Sequence, residues 1–295
     1  MISKSLKVLC LFIFFLCALS PVRAQYKTWA QVNTRLIPFR KGDKWGFCDR
    51  KRKMAIPVVY DRVYPFGVPR NQDVGREETV SKDEAYGHIG DSCFFVGENG
   101  SRRFVGLLSK PSSVNRPSSG PTDMGYRVAI LSDDHVLNEP RVVLDGQTFD
   151  AVDTICKLPG GNYYNVTVNS LHGVFHKGKM IVPMKYDYFH TWRDGANTVL
   201  VAYRDDKPEL LNLQGRLLNT ATYSEMEVEG KTVAIFGLVS VKKDGKWGFL
   251  NLKGKVVTAC KYDKFYGFGA NGLCLVAIGG KLGYIDCAGT EYFED

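Results

Sequence analysis

The chain has 295 residues, a formal net charge of +8 at pH 7 and 44% hydrophobic residues, which is ample for a folded core. Its Lys and Arg residues are scattered along the sequence, which argues against a nucleic-acid-binding surface. After the first apolar run no other is long enough to cross a membrane, which excludes a further transmembrane helix.

The N-terminus has the pattern of a secretory signal peptide. A positively charged start precedes the apolar run "VLCLFIFFLCALSP", and the small residues Val22 and Ala24 stand just before Gln25. The run falls short of the roughly 20 residues that a membrane span needs. We therefore expect residues 1–24 to be removed and residues 25–295 to be exported to the periplasm, the outer-membrane surface or the medium.

The mature chain would keep six cysteines: Cys48, Cys93, Cys156, Cys260, Cys274 and Cys287. Export permits disulfides. However, no two of these residues have the close spacing of a CxxC or zinc-binding pair. We expect most of them to be small buried apolar residues, with room for one or two bridges whose pairing the sequence leaves open.

An aromatic–polar pair recurs along the chain and sets a repeat. Its five copies are Tyr60-Asp61, Phe149-Asp150, Tyr186-Asp187, Tyr223-Ser224 and Tyr262-Asp263. The last four are spaced 37, 37 and 39 residues apart, and an apolar residue lies three positions beyond each aromatic. A fixed period of this length is typical of tandem structural repeats.

Each unit also carries turn residues in fixed places. The stretch "KWGF" occurs at 44–47 and 246–249, and a Gly follows the same slot in two further copies, at Gly173 and Gly283. Residues that tolerate positive φ precede this slot and favour a tight hairpin. Stretches such as "NLKG" at 251–254 favour a type I turn. The pattern therefore predicts that each unit is a three-stranded antiparallel meander of about 37 residues, which must stack on its neighbours to bury its faces.

The motifs "KWGF", the turn with Gly and "YDxF" resemble the bacterial WG repeat, also called the KWG repeat. The resemblance is strong for 239–293, good for 36–66 and 166–228, and poor for 69–145. It implies an all-β repeat module that is often exported, for which binding is the usual supposition.

We predict an all-β fold, in which residues 25–295 form a tandem array of six or seven meanders stacked as a spiral or solenoid. A propeller-like closed ring is the alternative, although propeller blades usually have four strands and a longer period. Units are expected near 36–68, 94–108 (degraded), 126–155 (degraded), 166–195, 199–229, 238–268 and 273–295. Polar insertions are expected at 69–92 and 109–125, either as binding loops or as surface decoration.

Two sets of residues are singled out. The structural frame of the repeat is expected to comprise Trp45, Gly46, Tyr60, Asp61, Gly173, Tyr186, Asp187, Tyr223, Trp247, Gly248, Tyr262, Asp263 and Gly283. In this frame the rings pack between units and the Asp residues cap turns.

The second set is a candidate binding surface: Tyr64, His190 and Tyr266 lie four positions beyond the anchor aromatic. Their parity is opposite to that of the apolar slot, so they either face outward to stack on a sugar or a protein partner, or lie between units.

No pattern of catalysis or metal binding stands out. His172 and His176 share one strand face at about 13 Å, which is too far apart to share one zinc ion. No GxSxG or HExxH stretch is present, and the glycine pairs sit in turns. We therefore expect neither enzyme activity nor a bound cofactor or metal.

The leading hypothesis is a non-catalytic, exported binding module of the bacterial envelope that engages a protein partner or a glycan. One alternative is a structural envelope component without a small ligand. The other is an enzyme too divergent to show its motif. The sequence leaves open the identity of the ligand, the side of the outer membrane and the oligomeric state.

Overall fold

The computed structural model describes residues 36–68, 81–108, 141–193, 197–228, 232 and 235–295. The expected signal peptide, the first part of the first insertion (69–80) and the second insertion (109–125) lie outside these ranges. Most described residues are in β-strands, which confirms the all-β prediction, and residues 232, 235 and 236 are helical. Within the described ranges, no helical stretch is long and apolar enough to traverse a bilayer.

The described strands form seven separate sheets, numbered here in chain order. Sheet 1 comprises β24 (Phe293–Glu294), β1 (Ile37–Lys41), β2 (Lys44–Cys48) and β3 (Met54–Tyr60). Sheet 2 comprises β4 (Arg62–Val63), β5 (Glu84–Ile89), β6 (Ser92–Gly97) and β7 (Arg102–Leu107). Sheet 3 comprises β8 (Val142–Leu144) and β9 (Gln147–Phe149).

Sheets 4 and 5 comprise β10 (Ala151–Leu158), β11 (Gly161–Val168), β12 (Leu171–His176) and β13 (Lys179–Tyr186), and then β14 (Tyr188–Trp192), β15 (Val199–Arg204) and β16 (Lys207–Asn212). Sheets 6 and 7 comprise β17 (Glu225–Glu227), β18 (Leu238–Lys243), β19 (Lys246–Asn251) and β20 (Val256–Tyr262), and then β21 (Lys264–Phe268), β22 (Leu273–Ile278) and β23 (Lys281–Asp286).

Four of the described sheets have four strands rather than three. The chain crosses between sheets at the aromatic–Asp pair: Tyr60 ends β3 of sheet 1, and the next strand, starting at Arg62, pairs with sheet 2. The same crossing occurs between Tyr262 and Lys264. The predicted units are therefore offset, because each contains the first strand of the following sheet.

The prediction of a polar insertion at 69–92 is wrong for residues 84–92. Residues 84–92 form β5 and the hairpin turn into β6, with Ala85 and Tyr86 buried. Cys93 and Phe94 occupy the slots that Trp and Gly fill elsewhere, so the motif is absent from the sequence. The remaining signal was the turn pair Gly90-Asp91, where Gly90 has φ of 52°.

Consecutive sheets bury their apolar faces against each other. Separate clusters join sheet 4 to sheet 5 around Val174 and Leu200, sheet 5 to sheet 6 around Val201 and Val239, and sheet 6 to sheet 7. A further cluster joins sheet 7 to sheet 1 and continues into sheet 2. Stacking of incomplete units is therefore the source of the core.

The first and last sheets of the array meet. Trp45 packs edge-on against Tyr284 with ring centroids 5.9 Å apart. The last strand, β24, pairs in parallel with β1, and the buried Arg40 bonds to the carboxylate of Asp295 at 2.7 Å. The closed ring, which is the alternative arrangement, requires such a contact between its first and last sheets.

The Gly that follows the Trp slot faces a bulge. Trp45 pairs with Tyr60 and Phe47 with Ile56, so two extra residues of β3 lie opposite Gly46. A Cβ atom on Gly46 would lie 2.4 Å from the carbonyl oxygen of Ile56. Gly248 is crowded in the same way by the backbone of β20. The glycine is therefore required by close backbone approach.

All six cysteines of the expected mature chain are unpaired in the structure, so none forms a disulfide. Cys48, Cys93 and Cys274 are buried. Burial raises the pKa of both the Cys48 and the Cys274 thiol to about 12. A thiol held protonated in this way is a poor nucleophile, so these residues act as small apolar side chains.

Candidate binding site

The Asp of the aromatic–Asp pair caps the hairpin turn of the next sheet. Backbone N–H groups donate to Asp61 from Gly90 at 2.6 Å and to Asp263 from Gly279 at 2.7 Å. Asp150 and Asp187 accept equivalent bonds from the turns at 169 and 205. These carboxylates are engaged by the scaffold, which leaves little capacity for a ligand.

The aromatic partner of each pair is buried. Tyr60 and Tyr262 are 0% exposed, and Tyr186 and Tyr223 are nearly so. The hydroxyl of Tyr262 donates to Glu291 at 2.7 Å, and the hydroxyl of Tyr186 donates to Glu209 at 2.5 Å. The pKa of both tyrosines is raised, chiefly by burial and to a smaller extent by these carboxylates. The four rings therefore belong to the repeat frame.

Tyr64 does not face outward, and its assignment to an exposed surface is wrong. Its side chain is 5% exposed and packs against Tyr86 with ring centroids 5.9 Å apart. The Tyr64 N–H donates to the carbonyl oxygen of Tyr86 at 2.8 Å, so the chain still runs along β5 there and the ring of Tyr64 joins the buried cluster of sheet 2.

The other two residues of the candidate surface are exposed. Tyr266 is 55% exposed, and His190 lies on the edge strand β14 with its side chain exposed. The structure does not bring them together, because they lie on sheets 5 and 7. Only His190 lines a cavity among those found in the described residues.

That cavity, which we call the aromatic cleft, measures about 420 Å³ and is lined by His190, Tyr203, Glu225, Met226 and Glu227. It lies between the first two strands of sheet 5 and the edge strand β17 of sheet 6. The hydroxyl of Tyr203 donates to the carbonyl oxygen of Met226 at 2.8 Å, which holds the two sheets together at the base of the cleft.

Three stacked or adjoining rings lie at the aromatic cleft: His190 and Tyr203 line the cavity, and Tyr188 lies beside it against Tyr203. Tyr188 stacks on Tyr203 with centroids 4.5 Å apart and an angle of 15° between the planes. His190 lies 5.4 Å from Tyr188 and 5.6 Å from Tyr203. The pairing of β14 with β15 sets Tyr188 opposite Tyr203. The sequence analysis found His190 but missed both tyrosines. Tyr188 lies two residues before His190 and therefore on the same face of β14, which was a signal that the sequence offered.

The electrostatic surroundings of the rings are negative. The pKa of Tyr188 is raised by burial and then by Asp206 and Asp187. The pKa of Tyr203 is raised to about 12, chiefly by burial, with Glu227 and Glu225 among the smaller contributors. Lys242 offsets part of this charge, since its ammonium group lies 2.7 Å from the Glu225 carboxylate. The cleft thus combines aromatic faces with a surplus of carboxylates.

A larger cavity of about 560 Å³ lies elsewhere between sheets 5 and 6, among the type I turns at 212–215 and 251–254. Two of the amide side chains that line it cap the turns of the fold. The Asn212 amide oxygen accepts hydrogen bonds from the backbone N–H groups of Gln214 and Arg216. The Asn251 amide oxygen accepts the same bonds from the backbone N–H groups of Lys253 and Lys255. The aromatic cleft, which is lined by the exposed ring of His190 and the half-buried ring of Tyr203, is therefore the better candidate site.

The histidines of β12 hold local contacts. His172 is within 3.3 Å of Thr167 and 3.2 Å of Asn165, and burial lowers its pKa. His176 stacks on Tyr163 with centroids 3.9 Å apart. Across the described part of the chain, no group of three or more His, Cys, Asp or Glu side chains is placed to hold a metal ion.

Comparison with known proteins supports the class of tandem β-repeat proteins. The family model described as "WG containing repeat" matches three segments of the chain, at 45–67, 176–204 and 247–281. These segments include both "KWGF" stretches in part and the strand that carries His190. A search of curated proteins finds no match.

Several solved structures share a loose likeness with this chain. One titled as a eukaryotic initiation factor has a TM-score of 0.31 at 8% identity, covering 88% of this chain and 84% of its own. A protein of unknown function from Bacteroides caccae has a TM-score of 0.21 at 10% identity, covering 86% and 90%. The WD40 domain of SCAP from fission yeast has a TM-score of 0.21 at 11% identity, covering 83% and 79%. Scores this low support no inference about this protein.

Proposed function

We propose that this protein is a non-catalytic binding module of the bacterial envelope, exported through its N-terminal signal, and that it engages a protein partner or a glycan at the aromatic cleft. The observation that carries the proposal is the ladder formed by the exposed rings of Tyr188 and His190 and the half-buried ring of Tyr203 on a scaffold of stacked sheets. Aromatic rings present large contact area at a low cost in conformational entropy, which is why they anchor many interfaces.

The geometry supports binding better than catalysis. The carboxylates of the aromatic–Asp pairs are engaged in turn caps, and burial raises the pKa of Cys48 and of Cys274. The aromatic cleft offers stacking faces and hydrogen-bond acceptors, which position a ligand without transferring a proton or forming a bond.

The proposal is tested by a pull-down from native bacterial envelopes, run beside a glycan array. The bait is the purified protein, and the test variant is Tyr188→Ala. The matched control is Tyr266→Ala, because Tyr266 is a comparably exposed ring on sheet 7 that lies outside the cleft. We expect the partner or glycan to be lost with Tyr188→Ala and kept with Tyr266→Ala. Equal retention by both variants would move the binding surface away from the cleft.

Export is tested separately by N-terminal sequencing of the protein from cell fractions. The expected first residue is Gln25, because Val22 and Ala24 fit the small-residue requirement of signal peptidase. An intact Met1 in the cytoplasmic fraction would contradict the exported location and leave the binding proposal to its own test.

A further inference from the structure

We propose that the aromatic cleft binds a cationic side chain, Lys or Arg, presented by a protein partner. This inference rests on the proposed binding function and specifies the chemistry of its ligand. It is carried by a comparison of equivalent positions along the repeat, namely the residues two and four places beyond the anchor aromatic.

In two sheets these positions hold a cation and a ring that contact each other. Arg62 lies over the ring of Tyr64 in sheet 2, and Lys264 lies over the ring of Tyr266 in sheet 7, each at 5.2 Å from the ring centroid. Such contacts are favourable because the face of an aromatic ring carries negative potential. The repeat thus brings a cation onto an aromatic face at these two places within its own chain.

Sheets 5 and 6 depart from this arrangement in complementary ways. In sheet 5 both positions are aromatic, Tyr188 and His190, so a second ring stands where sheets 2 and 7 have a cation, whereas sheet 4 has Ala151 and Asp153 there. In sheet 6 both positions are acidic, Glu225 and Glu227. The two sheets meet at the aromatic cleft, where rings and acidic residues form facing walls.

Charge favours a cation over a neutral sugar at this place. Burial is the main cause of the raised pKa of Tyr188 and of Tyr203, and carboxylates add to it: Asp206 and Asp187 at Tyr188, and Glu227 and Glu225 at Tyr203, so acidic groups lie near both rings. The ammonium group of Lys242 is engaged by Glu225 and lies 5.2 Å from the ring of Trp247. A guanidinium or ammonium group entering the cleft would gain both stacking and charge complementarity.

The test measures binding of fluorescently labelled nonapeptides to the full exported chain by anisotropy. The peptides consist of Gly and Ser with one central residue: Arg, Lys, citrulline or Nε-acetyl-lysine. The last two keep the shape of the side chain and remove its charge. We expect the Arg and Lys peptides to bind about tenfold more tightly than the neutral ones, and this preference to shrink as salt rises.

Variants locate the binding. We expect Tyr188→Ala and Glu227→Gln each to weaken the Arg peptide about fivefold, and Tyr188→Phe to retain most of the affinity because the ring remains. Tyr266→Ala is the matched control and should bind as the unmodified protein does. Glu227 is an exposed side chain, so Glu227→Gln gives a result even where Tyr188→Ala perturbs the fold.

The outcomes separate this inference from the proposed function. Equal binding of charged and neutral peptides, or binding of a neutral glycan that Tyr188→Ala abolishes, overturns the cationic ligand and leaves the binding module standing. Failure of peptides, glycans and envelope proteins alike to bind through the cleft overturns both.

Discussion

The two "KWGF" units, residues 43–63 and 245–265, share a frame but differ in their neighbours. Each has a Lys–Asp ion pair, Lys44 with Asp61 and Lys246 with Asp263, and each has the two-residue bulge opposite the Gly. Their tryptophans differ: Trp45 is 5% exposed against Tyr284, whereas Trp247 is half-buried.

The type I turns of the two units differ as well. Gly254 closes the turn of the second unit with φ of 78°, and Arg52 takes the same place in the first unit with φ of 63°. A Cβ atom on Gly254 would lie 2.1 Å from the carbonyl oxygen of Leu218 in the preceding unit, whereas Arg52 reaches Glu294 at the end of the chain. Local chemistry fixes the frame, and the adjoining unit decides what each position tolerates.

The largest expected effect follows from placing the first unit's turn residue in the second unit. Gly254→Arg should lower the free energy of unfolding by at least about 4 kcal/mol, because backbone strain and a clash with Leu218 act together. Urea unfolding measures the change. Gly245→Ala is the control, since Gly245 has φ of 75° with open space around it and should lose only about 1 kcal/mol. Similar losses in both variants would refute the contact between units.

The next largest effect is the loss of stability when either tryptophan is replaced by alanine. Trp45→Ala should cost about 3 to 5 kcal/mol, the range for removing a buried aromatic side chain. Trp247→Ala should cost about 2 kcal/mol, because part of that ring is already in contact with water. Thermal and urea unfolding would both report the order. A larger loss at Trp247 would show that the contact of Trp45 with the last sheet contributes little.

A smaller effect is expected on the stability that the capping aspartates contribute as the pH falls. The Asp61 pKa is lowered first by the hydrogen bond from Lys44 and then by that from the Gly90 N–H, and Lys246 and Gly279 act in the same way on Asp263. A lowered folded-state pKa gives stability that is present above the ordinary value of 3.8 and is lost as the pH falls through the lowered value.

The charge-removing variant Asp61→Asn tests this dependence. We expect it to be less stable than the unmodified protein at pH 7 and to lose less stability between pH 5 and pH 2. Urea midpoints across that range provide the measurement. Parallel pH profiles for the two proteins would show that Asp61 has no part in the acid response.

The smallest effect is the reverse exchange, Arg52→Gly. Glycine relieves the left-handed backbone, while the change removes the exposed ion pair with Glu294 and the contact of the guanidinium with Phe39. These opposing contributions are each about 1 kcal/mol or less, so the net change should lie within about 1 kcal/mol of zero. A loss as large as that of Gly254→Arg would show that the contacts of Arg52 with Glu294 and Phe39 stabilise the first unit far more than exposed contacts do.

The sequence by itself determined the β class, the period, the two turn types and the place of Gly beside Trp. These features depend on short-range chemistry: alternation along a strand, positive φ in tight turns, and side chains that cap nearby N–H groups. It failed at β5, because Cys93 and Phe94 replace the Trp and Gly by which a unit is recognised. It left open whether Tyr64 faces outward, and packing against Tyr86 decides that it is buried.

Only the tertiary structure decided how the ends of the array meet and which repeat positions form a cleft. The pairing of β24 with β1 joins residues some 250 positions apart, and no local pattern specifies such a contact. The aromatic cleft likewise combines His190 and Tyr203 of one sheet with Glu225 and Glu227 of the next. A sequence gives the residue type at each repeat position, but the stacking of sheets determines which positions face each other across a shared surface.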